Sequence, residues 1–182
     1  TVVMESGNES LPKQLNQVLH ESEGKYLHFI QSGAILKANL YSSARACLSA
    51  SNADAYVFGA TVQLNNVNSA FDIFNYNKNF IGEGNITNLQ NSSVIYGCGT
   101  SLSNKVLSAR LINENKLEFN DYQSNGVSLS FTVEYLLRCQ NIYFDKTNYL
   151  CMPFVHSSVT DICSRLEEYR YLNDLHVTEQ GK

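Results

Sequence analysis

The predicted fold depends on one stretch, Gly126-Val-Ser-Leu-Ser-Phe-Thr-Val-Glu-Tyr-Leu-Leu-Arg-Cys139. Apolar side chains occupy the odd positions from 127 to 137, and polar side chains occupy the even positions from 128 to 134. Because successive side chains of a strand point to opposite faces, this alternation predicts a strand with one face buried, including Phe131. The preceding pair Asn125-Gly126 favours a tight hairpin turn at its start.

Further alternating segments extend this strand into a sheet. Residues 55–64 alternate cleanly, with Gly59 on the less apolar face, where a glycine marks a bulge or a close packing contact. Residues 26–30 and 34–40 predict a hairpin, and a polar turn at 145–148 separates two short strands at 142–144 and 149–155. A meander of three consecutive strands is predicted from residues 106–112, 116–121 and 127–139.

The two ends of the chain have helical patterns instead. Ser10 and Pro12 are typical of a helix start, and apolar residues follow at helical spacing. Residues 158–173 predict a second amphipathic helix, whose apolar stripe comprises Val159, Ile162, Cys163, Leu166 and Tyr169. The predicted fold class is α+β: a mainly antiparallel two-layer sheet or sandwich with one helix near each terminus, in one domain over 1–182 with ragged ends at 1–9 and 174–182.

Composition excludes several classes of protein. The 182-residue chain is 43% hydrophobic but only 16% charged, and its net charge is -4. Without a run of Lys or Arg it lacks the electrostatic face that binds nucleic acid. No apolar run approaches the roughly 20 residues that span a bilayer. Because it begins at Thr1 without a basic, apolar leader, we expect a mature or excised piece.

Five cysteines are present without a Cys-x-x-Cys spacing. Cys139 and Cys151 flank the predicted 142–155 hairpin, where a disulfide is expected if the two side chains face each other. In a reducing compartment they would be buried small hydrophobes instead. Adding His156 and Cys163 gives four soft zinc ligands, but no two form a closely spaced pair, so no metal and no cofactor is predicted.

Three Asn-x-Ser/Thr triplets begin at Asn8, Asn85 and Asn91. They are candidate glycosylation sites, although a chain this rich in Asn and Ser contains about as many by chance. With the cysteines they favour a secreted or extracellular, lumenal location, the alternative being cytoplasmic.

The most enzyme-like position is Cys98, which lies between two glycines. Small neighbours expose a thiol and leave room for an oxyanion hole, but activation requires a histidine brought close by folding. The candidates are His20, His28, His156 and His176. Each histidine is equally explained as a surface or hydrogen-bonded side chain, and Cys98 as a packed turn residue.

The sequence therefore favours recognition over chemistry. We predict a binding module of a secreted, cell-surface or virion-surface protein, contacting a protein or glycan partner through loops and strand edges. The Asn- and Tyr-rich region 65–91 is the candidate contact surface. Two alternatives remain: a carrier with an apolar cavity between sheet and helix, and a cysteine-dependent enzyme centred on Cys98.

Overall fold

The computed structural model describes residues 9–63, 70–72, 83–87, 98, 101–120 and 127–153, and the structural statements below concern these residues. Four helices lie among them: α1 (Leu11–Glu21), α2 (Leu40–Ser51), α3 (Ala109–Asn115) and α4 (Val127–Arg138). The strands are β1 (Tyr26–His28), β2 (Ile35–Leu36), β3 (Ala55–Gln63), β4 (Ala70–Asp72), β5 (Gly84–Ile86), β6 (Lys105–Ser108) and β7 (Ile142–Pro153).

All seven strands belong to one mixed sheet. Its main path is β1-β6-β3-β7-β2, with β4 added to β3 and β5 added to β7. The two long central strands, β3 and β7, run parallel along their length, whereas the other pairs are antiparallel. The predicted mainly antiparallel sheet is therefore wrong.

The stretch 127–138, predicted as the central strand, is helix α4. Its buried positions, such as Leu129, Thr132 and Tyr135, are separated by three residues, which is the spacing of one helix face. A strand would have placed Thr132 on the wet face and Leu137 in the core, yet Thr132 is 1% exposed and Leu137 is 39% exposed. The alternation was misleading because Leu129 and Tyr135 fit both the two-residue repeat of a strand and the 3.6-residue repeat of a helix.

This error accounts for the wrong fold class. Two parallel strands need a crossover between them, which is usually helical, and α4 lies in the connection from β3 to β7. When α4 is counted as a strand, the crossover disappears and consecutive strands imply antiparallel pairing. Helices in fact cover both faces of the sheet, so the sandwich with one helix at each terminus is also incorrect.

The two faces carry separate cores. Strand β3 alternates as predicted, with Ala55 and Val57 on the face covered by α1, α3 and α4, and Tyr56 and Phe58 on the face covered by α2. The space between sheet and helices is filled by side chains from these elements. The α2 side contains Leu40, Ala44, Leu48, Ala60 and Val106, and the opposite side contains Leu15, Leu19, Leu111, Ile112, Phe131 and Leu136.

Helix α4 is fixed to the sheet by a buried hydroxyl. The Tyr135 hydroxyl donates to the carbonyl oxygen of Asp54 at 2.6 Å, and the Ser108 N–H donates to the Tyr135 oxygen at 2.8 Å. Burial raises the pKa of Tyr135 well above its usual value, so the hydroxyl keeps its proton. On the same helix, Phe131 stacks on Phe119 with ring centroids 4.0 Å apart. Contacts from α4 therefore reach both the sheet and the 117–120 segment.

The close contact predicted at Gly59 is present. The pairing of β3 with β7 shifts register on both sides of Gly59, so that β7 bulges at this point. A Cβ atom at Gly59 would lie 3.0 Å from the carbonyl oxygen of Thr147 and would overlap the side chain of Asn148. Ile142–Pro153 is thus a single bulged strand and not the predicted hairpin, and residues 154–155 lie outside the described residues.

The predicted hairpin of residues 26–30 and 34–40 is also wrong, because β1 and β2 lie at opposite ends of the strand order. The pairings give the positions of the two strands relative to β3. His28 and Tyr56 both pair with the same residue of β6, and Ile35 and Thr61 both pair with the same residue of β7. In a flat sheet those positions would be about 25 Å apart, as far as seven fully extended residues reach. Since 31–34 also form a hydrogen-bonded turn, the sheet must curl.

At the amino end, the predicted helix is confirmed as α1, with Pro12, Leu15 and Leu19 buried. The predicted strand at 106–112 becomes β6 followed by α3. The predicted helix at 158–173 and most of the 65–91 region lie outside the described residues. No helix within the described residues is long and apolar enough to cross a membrane.

Candidate functional site

The candidate site lies at one edge of the sheet. Because β6 is antiparallel to both β1 and β3, β1 runs in the same direction as β3 and β7. Ligands of open α/β sheets bind outside the carboxyl ends of such strands. The residues before β6 lie beside the carboxyl end of β1 and bind the first half of β3: the Phe58 N–H donates to the carbonyl of Asn104, and the Asn104 amide donates to the carbonyl of Phe58, both at 3.1 Å.

His28, at the carboxyl end of β1, is held by two hydrogen bonds. Its Nε2 lies 2.9 Å from the carbonyl oxygen of Ser103, and its Nδ1 lies 3.1 Å from the Tyr41 hydroxyl. Burial lowers the pKa of His28, although the Ser103 contact opposes this shift. The neutral ring therefore carries its proton on Nε2, because a carbonyl only accepts, and Nδ1 accepts from Tyr41.

Tyr41 presents the exposed part of this edge. The residue is 51% exposed, and its ring makes a T-shaped contact with the His28 ring, with centroids 5.7 Å apart. Because the hydroxyl donates to His28, its oxygen lone pairs remain available to an incoming donor.

Lys105 is completely buried at the start of β6. Its ammonium donates to the carbonyl oxygens of Cys98 at 2.9 Å and Ser101 at 2.6 Å, and to Oδ1 of Asn104 at 2.8 Å. These three bonds use all the donors of an ammonium group. Desolvation lowers the pKa of Lys105 to about 7, despite the opposing effect of Cys98. Lys105 thus holds Cys98, Ser101 and Asn104 together, next to Ser103, whose carbonyl contacts His28.

Cys98 lies beside this lysine, and the structure gives it no nucleophilic character. Its side chain is fully buried, and burial raises its pKa to about 11 even though Lys105 acts in the opposite direction. A protonated, buried thiol is a poor nucleophile at neutral pH. The environment of Cys98 therefore disfavours the cysteine-dependent enzyme.

A second polar cluster occupies the bulge of β7. The Asp145 carboxylate accepts from the hydroxyl of Tyr56 at 2.5 Å, from the hydroxyl of Tyr149 at 3.3 Å and from the Thr147 N–H at 2.8 Å. Burial alone would raise the pKa of Asp145, but these hydrogen bonds outweigh it and lower the pKa. Because its acceptors are already engaged, we interpret Asp145 as support for the bulge.

The predicted disulfide is not formed: Cys139 and Cys151 are both free thiols. The physical reason is that β7 is one strand and not a hairpin. Ile142, three residues after Cys139, pairs with Ala55, and Cys151 pairs with Thr61, so about 20 Å of sheet separates Ile142 from Cys151. No group of three or more His, Cys, Asp or Glu side chains in the described part of the chain is placed to bind a metal ion. His156 and Cys163 lie outside it.

The glycosylation sites stay predictions. Asn85 is exposed on β5, and Asn8 and Asn91 lie outside the described residues. His28 is confirmed as a hydrogen-bonded histidine, although it is partly buried. Sequence reasoning missed Tyr41, Asn104 and Lys105. The one available signal was a lysine at the start of an apolar segment, which is unusual enough to suggest a buried role.

Comparison with solved structures shows which known proteins share this fold. No family model and no curated protein sequence matches the chain. Among solved structures, S. aureus TarS 1–349 aligns with 82% of this chain at a TM-score of 0.65 and 18% identity. TarS 1–349 in complex with UDP-GlcNAc aligns with 86% at 0.63 and 19%, and the complex with UDP aligns with 80% at 0.62 and 19%.

At this identity the likeness concerns the fold, and the chain spans 42% of TarS 1–349. TarS is a glycosyltransferase crystallised with a nucleotide sugar. Sharing its fold contradicts the prediction of a recognition module on a secreted or surface glycoprotein. The alternative of a carrier with an apolar cavity is also disfavoured. Buried side chains occupy both interfaces between the sheet and the helices described.

Proposed function

We propose that this chain is part of a nucleotide-sugar-dependent glycosyltransferase and binds a uridine diphosphate sugar at the carboxyl end of β1, beside the first half of β3. The observation that carries the proposal is the fold shared with TarS in complex with UDP-GlcNAc, over 86% of the chain. The complete transferase activity belongs to the proposal, since the chain corresponds to 42% of TarS 1–349.

The chemistry of the edge supports this ligand class. A nucleotide sugar offers an aromatic base and many hydroxyl donors. The aromatic ring of the half-exposed Tyr41 suits stacking, and its hydroxyl oxygen, oriented by His28, suits hydrogen bonding. Ser101 and Ser103 are partly exposed beside it. We propose that Tyr41 contacts the ligand and that His28 and Lys105 position the surrounding backbone.

The reaction of such an enzyme is a substitution at the sugar. The bond between the anomeric carbon and the diphosphate oxygen breaks, and the acceptor hydroxyl oxygen forms the new bond to that carbon. The acceptor proton passes to a base and UDP leaves. For this chain we assign only ligand binding and positioning to the residues of the edge.

The test is isothermal titration calorimetry of the folded chain with UDP, UDP-GlcNAc and GDP-mannose. We expect saturable binding of both uridine ligands and weaker binding of the guanosine sugar. Tyr41→Ala should weaken UDP binding by about tenfold, because base stacking on an aromatic ring contributes about 1–3 kcal/mol.

Tyr143→Ala is the control, since Tyr143 is another partly exposed tyrosine but lies on β7, three strands away from β1 in the sheet. It should leave UDP binding unchanged. Absence of UDP and UDP-GlcNAc binding at millimolar concentration by a chain with native circular dichroism would refute the proposal. Equal losses in the Tyr41 and Tyr143 variants would refute the assigned place of the site.

A further inference from the structure

The direction of the Tyr41 hydroxyl hydrogen is decided by a backbone carbonyl on the far side of the His28 ring. The carbonyl oxygen of Ser103 can only accept, so the Nε2 that lies 2.9 Å from it carries the single proton of the neutral ring. Nδ1 is then an acceptor, and the Tyr41 hydroxyl donates to it at 3.1 Å. Burial raises the pKa of Tyr41, so the hydroxyl keeps its proton at neutral pH.

The carbonyl that decides this direction is held on both sides. The Ser103 N–H donates to Oγ of Ser101 at 3.2 Å, and the carbonyl of Ser101 is bound by the Lys105 ammonium at 2.6 Å. On the other side, Asn104 exchanges two hydrogen bonds of 3.1 Å with the backbone of Phe58. The Ser103 carbonyl therefore cannot turn away from the ring without disturbing several buried contacts.

An incoming ligand therefore meets only the lone pairs of the Tyr41 oxygen. A hydroxyl or N–H group of the ligand can donate to them. A phosphate oxygen or a uracil carbonyl at the same place would face lone pairs without a hydrogen between them, which leaves a desolvated acceptor unpaired. Such an unpaired acceptor discriminates strongly between ligand groups.

We propose that the Tyr41 hydroxyl selects a hydrogen-bond donor of the nucleotide sugar and does not contact its phosphates, and that His28 is the positioning residue that imposes this choice. The inference rests on the proposed function and adds which part of the ligand faces Tyr41. The donor chemistry is shared by the uracil N3–H, the ribose hydroxyls and the donors of the transferred sugar.

Isothermal titration calorimetry of Tyr41→Phe, which keeps the ring and removes the hydroxyl, tests the donor. We expect UDP-GlcNAc to bind this variant about fivefold more weakly than the unmodified chain, the effect of losing one hydrogen bond. Tyr143→Phe, on a strand three places away from β1, is the control and should leave binding unchanged.

Four ligands locate the donor, because each lacks one of the candidates. They are 3-methyl-UDP, 2′-deoxy-UDP, 3′-deoxy-UDP, and UDP itself, which lacks the transferred sugar. The ligand without the contacted donor should bind the unmodified chain and Tyr41→Phe equally, while the others keep the fivefold difference.

A pH profile distinguishes this role of His28 from a merely structural one. When the ring becomes charged, both nitrogens donate, so Nδ1–H points at the Tyr41 oxygen and the hydroxyl hydrogen turns towards the ligand. The ratio of the two affinities, unmodified chain over Tyr41→Phe, should then fall from about five to about one. Because burial lowers the pKa of His28, this fall lies below pH 6.5. The ratio cancels the titration of the ligand's own phosphates.

The groups that face the ring are few, so the profile can be assigned to His28. Tyr41 faces it from α2, and the Phe58 ring of β3 lies edge-on to it with centroids 5.7 Å apart. On β6, the ammonium of Lys105 is engaged by three oxygens, and on β1 the Lys25 ammonium lies over the Tyr26 ring. NMR of the His28 ring nitrogens gives both the tautomer and the midpoint of the titration.

Four results would overturn this inference alone. They are unchanged UDP-GlcNAc binding by Tyr41→Phe, a full Tyr41→Phe penalty with all four test ligands, a neutral His28 ring protonated on Nδ1, and an affinity ratio that stays constant while His28 titrates. Absence of UDP and UDP-GlcNAc binding would overturn the proposed function as well, so the two failures are distinguishable.

Discussion

Lys105 makes a specific prediction about pH and stability. Desolvation lowers its pKa in the folded chain from 10.5 to about 7. Between these values the unfolded chain binds more protons than the folded chain, so the free energy of unfolding rises with pH. From pH 7.0 to 8.5 this one group contributes an increase of about 1.5 kcal/mol. Replacing it by Met should remove that increase.

The window is chosen to isolate the lysine. His28, whose pKa is lowered, changes the free energy of unfolding mainly below pH 7. Cys98 and Cys139, whose pKa values are raised by burial, oppose the trend by less than about 0.5 kcal/mol at pH 8.5. Urea unfolding followed by circular dichroism at both pH values, for the unmodified chain and Lys105→Met, gives the two slopes. The exposed Lys37 provides the control variant, Lys37→Met.

The reasoning is refuted if Lys105→Met retains the same increase in stability as the unmodified chain. It is equally refuted if NMR of the Lys105 side chain shows titration near the ordinary lysine value. The absolute stability of the variant at pH 7 is not the criterion, because removal of the amine leaves three oxygen acceptors without their donor while also removing a desolvated charge.

Three further results are expected. Gly59→Ala should lower the free energy of unfolding by about 2 kcal/mol in urea denaturation, because the added methyl overlaps Asn148 and the β7 backbone; a neutral change would contradict the tight pairing. Tyr135→Phe should cost about 1–2 kcal/mol in the same assay, since it removes a buried donor and acceptor. In native buffer, Cys139 should react with a thiol reagent much more slowly than the half-buried Cys151, and similar rates would contradict the burial.

The sequence correctly predicted those helices and strands whose local pattern of apolar residues fits only one kind of secondary structure. Helix α1 follows from Pro12 and its apolar spacing, and β3 follows from a strict alternation with a glycine at the bulge. Helix α4 was mispredicted because Ser130 and Thr132 are polar yet buried, so the apolar residues alone do not show its whole inner face. Small hydroxyl side chains are readily accommodated in a helix interface, and periodicity of apolar residues alone does not count them.

The candidate site was less predictable than the fold because it depends on tertiary neighbours. His28 acquires its tautomer from the carbonyl of Ser103, which is 75 residues away in sequence. Lys105 is tolerated in the interior only because three oxygens, one each from Cys98, Ser101 and Asn104, surround its ammonium. Neither partner has a local signature, and the parallel pairing of β3 with β7 is likewise decided by packing.

The place of β7 in the sheet has a consequence for synthesis of the protein. The strand that lies between β3 and β2 is the last one described in the chain, and its pairing extends to Pro153. Until β7 has been synthesised, β2 and β3 have no neighbour on the sides that β7 will occupy. Exposed strand edges of this kind are prone to aggregation. We therefore expect nascent chains stalled before residue 153 to bind chaperones, and released full-length chains to be free of them.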